Sequence, residues 1–254
     1  MLIRRLASAL KNQDWATFVI EFFLVVAGVF IGIQFANWND ERNLRLQEGE
    51  VLVSLSGDLE EAIPAFNETI LSLQDQRARQ NELAEVIQGR REKPDAAQLD
   101  RLILDSIYFM RLPKPRRASI DELASSGRIN IIDKVAIREQ ILRIEPLTVE
   151  VEQSMQELQQ LVFDKVDPYL IKNYDMRGLT TITDSALVSE FMRVWSEDYD
   201  RQSNQALLQQ TELSNLLIYR MGIRAVMERE VTRLRDAFQT TNNLIEARLT
   251  ALGQ

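Results

Sequence analysis

The stretch Trp15–Trp38, WATFVIEFFLVVAGVFIGIQFANW, decides how the chain is built. Its two tryptophans enclose 22 residues. As a helix these cover roughly 33 Å, enough for a hydrocarbon core of about 30 Å. Phe22 to Ile33 carries no charged or polar side chain. Trp15 and Trp38 stand at the two ends, where amphipathic indoles prefer the headgroup layer. The other readings are a buried core helix or a cleaved signal. The best cleavage site, after Ala36, would place Gln34 where a small residue is needed, and no cysteine offers a lipid anchor. The expectation is an uncleaved transmembrane helix over residues 15–38.

Two features of this stretch go beyond anchoring. Gly28 and Gly32 form a small-xxx-small pair extended by Ala36, and Glu21 lies seven residues before Gly28. Glu21, Gly28, Gly32 and Ala36 therefore share one helical stripe. Small residues let helices approach closely, and a polar group on the same face can hydrogen-bond across. An ionisable residue in a span is a candidate functional group. The plainer alternative is that Glu21 snorkels to the interface and the glycines are tolerated.

Working outward, Arg4, Arg5 and Lys11 precede the stretch, while Asp40, Glu41, Arg42 and Arg45 follow it. The positive-inside rule then favours residues 1–14 as a cytoplasmic basic tail. Residues 39–254 become an extracytoplasmic domain, periplasmic in a bacterial inner membrane with two membranes. The net charge is −8, and the first 36 residues are slightly positive, so the acidity lies in the domain. An acidic domain is a poor nucleic-acid binder. There is no Cys and no His. That excludes thiol nucleophiles, thiolate zinc sites and imidazole acid–base chemistry, and no cofactor or metal is expected.

Beyond Trp38 the spacing predicts an all-α fold: an elongated antiparallel helical bundle with coiled-coil-like packing. Leu59, Ile63, Phe66, Ile70 and Leu73 step by four and three, the seam of a first long helix. Gly57 and Pro64 predict a bend or restart in it. Gly89–Asp95 is a turn, and Asp95 caps a helix reaching Met110 with Leu99, Leu102, Ile103 and Ile107 inward. Residues 111–117, RLPKPRR, form a basic loop whose Arg111, Lys114, Arg116 and Arg117 are a candidate anion or partner contact, against a solvated loop as the plainer reading. Ser119–Glu122 reads as a capping box and Gly127 as a left-handed stop. Residues 128–132 read as extended, with Asp133 capping the next helix. That helix, Lys134 to about Asn173, has Ile141, Ile144, Thr148, Val151, Met155, Leu158 and Val162 on its seam and should kink or split at Pro146. A helix over 185–199 and a last one from about Ser203 to Leu252 complete the chain. Met227, Val231, Leu234, Phe238, Thr241, Ile245 and Leu249 carry the seam of the last, and Arg220 and Arg224 interrupt any second apolar run.

Glu21, Gly28, Ile33-Gln34 and Asn37-Trp38-Asn39-Asp40-Glu41-Arg42 together resemble the N-terminus of a family of bacterial single-pass membrane proteins of unknown function. The stretch 120–133, IDELASSGRINIID, is similar to that family's central Leu-x-Ser-Ser-Gly element. Residues 18–20, where the family has a glycine before the Glu, and Phe35-Ala36 before Asn37 depart from the pattern. The resemblance implies one span and a helical extramembrane domain; it implies no enzymatic activity.

Three functions follow as expectations. The first is a non-enzymatic scaffold or accessory subunit docking through its span to another membrane protein or to its own copy. The second is a ligand-sensing bundle, with residues 111–117 and Tyr169 and Tyr174 near the ligand. The third is an enzyme using carboxylates alone, such as Glu60/Glu61 or Asp198/Asp200. Adjacent carboxylates on a helix do not converge on one substrate, which makes it the weakest.

Overall fold

A computed structural model describes residues 15–109, 118–177 and 203–253. Among these every regular element is helical and no strand occurs. Residues 1–14, the basic positions Arg111, Lys114, Arg116 and Arg117, and the helix expected over 185–199 lie outside the described residues.

Helix α1 runs from Trp15 to Ile87 as one element of 73 residues, a rod of roughly 110 Å. From Phe18 to Gln47 every residue is exposed. Burial starts at Glu48 and follows Leu52, Leu55, Leu59, Ala62, Phe66, Thr69 and Leu73, then Gln80 and Leu83. The alternation of three and four keeps one seam facing a partner along the whole rod. This corrects the expected seam: Leu59, Phe66 and Leu73 are on it, whereas Ile63 and Ile70 are half-buried on its flank. Nor does α1 restart at Gly57–Pro64, because Pro64 lies inside the helix. Pro64 and Glu60 both face solvent. The Glu60 carbonyl, which loses its helical partner to the proline, can therefore be served by water.

Helix α2 spans Ala96–Ile107, and its Asp95 cap accepts a hydrogen bond from the Gln98 N–H at 2.9 Å. It stops three residues short of Met110. Helix α3, Ala118–Ser125, begins one residue before Ser119, so that serine falls inside the helix rather than at a capping-box position. Gly127 follows at φ 68° and ψ 6°, the left-handed stop its sequence predicts. Residues Arg128–Ile131 then coil into a 3-10 turn, not the extended segment expected.

Helix α4, Val135–Leu161, passes through Pro146 without splitting, again with the proline and the i−4 residue, Leu142, exposed. A π-helical turn, Val162–Val166, links it to α5, Asp167–Asn173. The wider turn comes just before Pro168, which lacks an N–H to give and would crowd the preceding carbonyls of a regular helix. A 3-10 turn, Ser203–Gln209, precedes α6, Thr211–Leu252, which thus starts later than the expected Ser203.

The long helices alternate in direction. Contacts between α1 and α6 descend in step: Gln80 with Arg224, Asn67 with Arg235, Ser56 with Asn242, Glu48 with Arg248. Glu150 with Arg233 and Ser154 with Glu230 set α4 antiparallel to α6 as well. Helix α6 is thus the central one, packed against both α1 and α4. At mid-height Phe66 and Phe238 meet edge to face, with ring centroids 5.0 Å apart at 76°. The bundle end near Glu48 is close to the apolar stretch; the other end, near Gln80, is far from it.

Candidate functional site

The apolar part of α1 packs against no other described residue. None of its described side chains is buried, and the helix is long and apolar enough to cross a membrane. On the stripe read from sequence, Glu21, Gly28, Gly32 and Ala36 are all exposed. A Cβ at Gly28 or Gly32 would meet no atom within 4 Å. Within about 80° of helix surface the stripe therefore offers a flat face beside one carboxylate. Trp15 and Trp38 are exposed at its ends, and the Trp38 ring lies 5.6 Å from that of Phe35.

Beyond the apolar stretch, residues 39–47 are exposed helix, with Arg45 and Glu41 paired at 3.4 Å on one face. Such an exposed i,i+4 pair contributes only a few tenths of a kcal/mol. The bundle then begins with a buried charge cluster. Glu48 is 1% exposed. Arg248 donates to it twice, Nε to Oε1 at 3.1 Å and Nη2 to Oε2 at 2.7 Å. The Asp133 N–H donates to Glu48 Oε1 at 3.0 Å, and Arg248 Nη2 also reaches Asp133 Oδ2 at 3.3 Å. Arg138 secures the same connector by donating to the Asp133 carbonyl at 3.1 Å. Asp133 is therefore not the helix cap that its sequence suggests; Lys134 holds the cap position without a side-chain bond. The Glu48 hydrogen bond is the main reason the Arg248 guanidinium is held above its usual range, with burial opposing it.

The far end holds a second polar layer. Arg224 Nε donates to Gln80 Oε1 at 2.8 Å and its Nη1 to Glu228 Oε2 at 2.7 Å. Glu228 is also paired with Arg77. Gln80 Nε2 donates to the Ser106 carbonyl at 3.0 Å, tying in α2. Arg220, 1% exposed, donates through Nη2 to the Phe109 carbonyl at 3.1 Å. Burial, and then the neighbouring Arg224, push Arg220 down to about 10. A third knot is Asn204, which donates to Asp100 Oδ1 at 2.8 Å and accepts from the Asp175 N–H at 2.7 Å.

Sequence reasoning missed Glu48, Arg248, Arg220 and Arg224 as core residues. For α6 the signal was present, since the three-four register of Met227 to Ile245 runs back onto 224 and 220 and forward onto 248; Glu48 falls on the seam through Leu55 and Ala62, which the expected register of α1 missed. A charged residue on a seam position is a buried polar layer waiting for its partner.

Tyr169 and Tyr174 are core residues at 2% and 4% exposure rather than the lining of an open cleft. The Tyr169 hydroxyl donates to Gln210 Oε1 at 2.8 Å, and burial, with the Glu212 charge behind it, pushes its ionisation up to about 12. An unfolded tyrosine titrates near 10. Between about pH 10 and 12 the unfolded chain loses this proton while the folded one keeps it, so stability falls as pH rises. Tyr169→Phe is expected to flatten that alkaline decline relative to wild type, as seen in unfolding midpoints taken across the window. An equal decline in both proteins would show that the phenol is not protected.

Glu60 and Glu61 both face solvent, and Asp198 and Asp200 lie outside the described residues. Among the described residues no group of three metal-ligating side chains converges. No family model, curated protein or solved structure matches this chain.

Proposed function

We propose that this chain is a single-pass membrane protein that works by assembly rather than by catalysis. Its Glu21–Gly28–Gly32–Ala36 face docks against another membrane helix, from its own copy or from a larger complex, and the bundle serves as a scaffold or accessory subunit outside the cytoplasm. The observation that carries this reading is the unbroken α1: the exposed apolar stretch and the bundle seam are one helix, so whatever seats the span also sets the orientation of the domain. The flanking Arg4, Arg5 and Lys11 support a cytoplasmic N-terminus in a bacterial inner membrane. The likeness of the Glu21–Arg42 pattern to a single-pass family supports the same arrangement.

The absence of native cysteine makes the test direct. Single cysteines placed one at a time across residues 24–36 in native membranes are expected to cross-link to a partner or a second copy with helical periodicity. The maximum should fall at 28, 32 and 36, and Glu21→Gln should reduce it. Only free monomer, or cross-linking without periodicity, would count against a docking face.

A further inference from the structure

Among the described residues the far polar layer contains a buried cation without a counter-charge. Arg220 is 1% exposed, yet its Nε and Nη1 have no hydrogen-bond partner there. The bond it does make among them is to a neutral carbonyl, that of Phe109. The carboxylates nearby are engaged: Glu228 is shared by Arg224 and Arg77, and Asp105 pairs with Arg79 at 2.8 Å. One helical turn from Phe109 the hydroxyl of Ser106, itself 0% exposed, is also without a partner. Unmet buried donors of this kind are rare in folded proteins, and a missing ion is one of their ordinary explanations. Water would satisfy the N–H groups but leave the charge uncompensated.

We propose that this layer, between α1, α2 and α6, binds a small compact anion that hydrogen-bonds to Arg220. Chloride and inorganic phosphate serve as a small monovalent and a larger oxyanion probe. Next to Phe109, on the side away from Arg220, a cleft of about 360 Å³ is lined by residues that include Gln76, Arg79, Asp105 and Phe109 itself. Gln76 Nε2 donates to the Phe109 carbonyl at 2.9 Å, so a shift of the half-exposed Phe109 would connect the cleft to Arg220. At the rim Arg79 is paired with Asp105 and Asp75 adds a negative charge, so the rim disfavours bulky or multiply charged anions and the attraction comes from Arg220 behind it. The anion would join the end of α2 to the start of α6 and so close the end of the bundle that the Glu48–Arg248 cluster does not reach.

The test uses the full chain in detergent at constant ionic strength, exchanging bulky gluconate for chloride or for inorganic phosphate. Wild type is expected to show a saturable rise in melting temperature, roughly 5–10 °C at about 100 times the dissociation constant. Arg220→Met should melt higher than wild type in gluconate and show no saturable response. Glu228→Gln, which removes a competing acid and keeps the cations, should reach half-saturation at several-fold lower anion concentration. This second variant decides the matter if Arg220→Met does not fold. A flat wild-type response, an equal rise in wild type and Arg220→Met, or an unmoved Glu228→Gln midpoint would each overturn the site.

Discussion

Arg248→Met is expected to remove about 3–5 kcal/mol of stability and to lower the melting temperature by roughly 6–20 °C. The variant leaves Glu48 inside the bundle at 1% exposure with only the Asp133 N–H to stabilise its charge. Three segments lose their common anchor at once: the base of α1, the connector into α4 and the end of α6. The exposed Arg233–Glu150 pair is the internal control. Its side chains are 53% and 41% exposed, and Arg233→Met should change stability by less than about 1 kcal/mol. A double replacement, Glu48→Leu with Arg248→Leu, should recover most of what Arg248→Met loses, because the cost is the stranded charge rather than the missing attraction. Thermal melts of all three in one detergent decide it. A loss from Arg248→Met no greater than that from Arg233→Met would show that the cluster is solvated.

Phe238→Ala should cost a comparable 3–5 kcal/mol, for a different reason. Phe238 is 0% exposed at the middle of α6, and Phe66 opposite it is 1% exposed. Truncation opens a cavity between two rods that are tied above and below by polar layers and so cannot close on it. Ile63→Ala, one residue off the seam and half-buried, should cost no more than about 1–1.5 kcal/mol by the apolar area it covers. The ratio of the two effects tests the register of α1 directly. The sequence-based seam through Ile63 requires the two costs to be alike, and the observed seam through Ala62 and Phe66 requires them to differ severalfold. The Phe66→Ala, Phe238→Ala double variant should lose less than the two singles together, since either truncation already breaks the edge-to-face contact.

Much of the architecture was legible residue by residue. Asp95 announced its cap and Gly127 its left-handed stop, because both depend on bonds closed within a few residues. The seam of α6 from Met227 to Ile245 was legible because five apolar positions and Thr241, stepping by three and four, leave one possible face. The failures share a cause. Pro64 and Pro146 read as a bend or restart and a kink or split; neither helix restarts or splits, because a proline whose freed carbonyl faces water is tolerated when the opposite face is held by packing. Asp133 read as a helix cap, but its N–H and carboxylate turn to Glu48 and Arg248, 85 and 115 residues away in sequence. Arg220 and Arg224 interrupt a second apolar run, as expected, but their burial went unread, because propensity counts residue types and not the register they fall on.

The sequence by itself determined that the chain is helical and that one stretch, Trp15–Trp38, is apolar over a membrane's thickness. It also placed Glu21, Gly28, Gly32 and Ala36 on a single face. These follow from local periodicity and from the hydrophobic cost of leaving such a stretch in water, and neither needs a distant partner. Only the tertiary structure decided that α1 is one continuous rod, that α6 lies centrally against α1 and α4, and that charged residues fill both ends of the seam. Those outcomes rest on pairs such as Glu48 with Arg248, 200 residues apart. The Glu48 charge is stable inside because the fold delivers Arg248 to it, and no local pattern states which partner that will be.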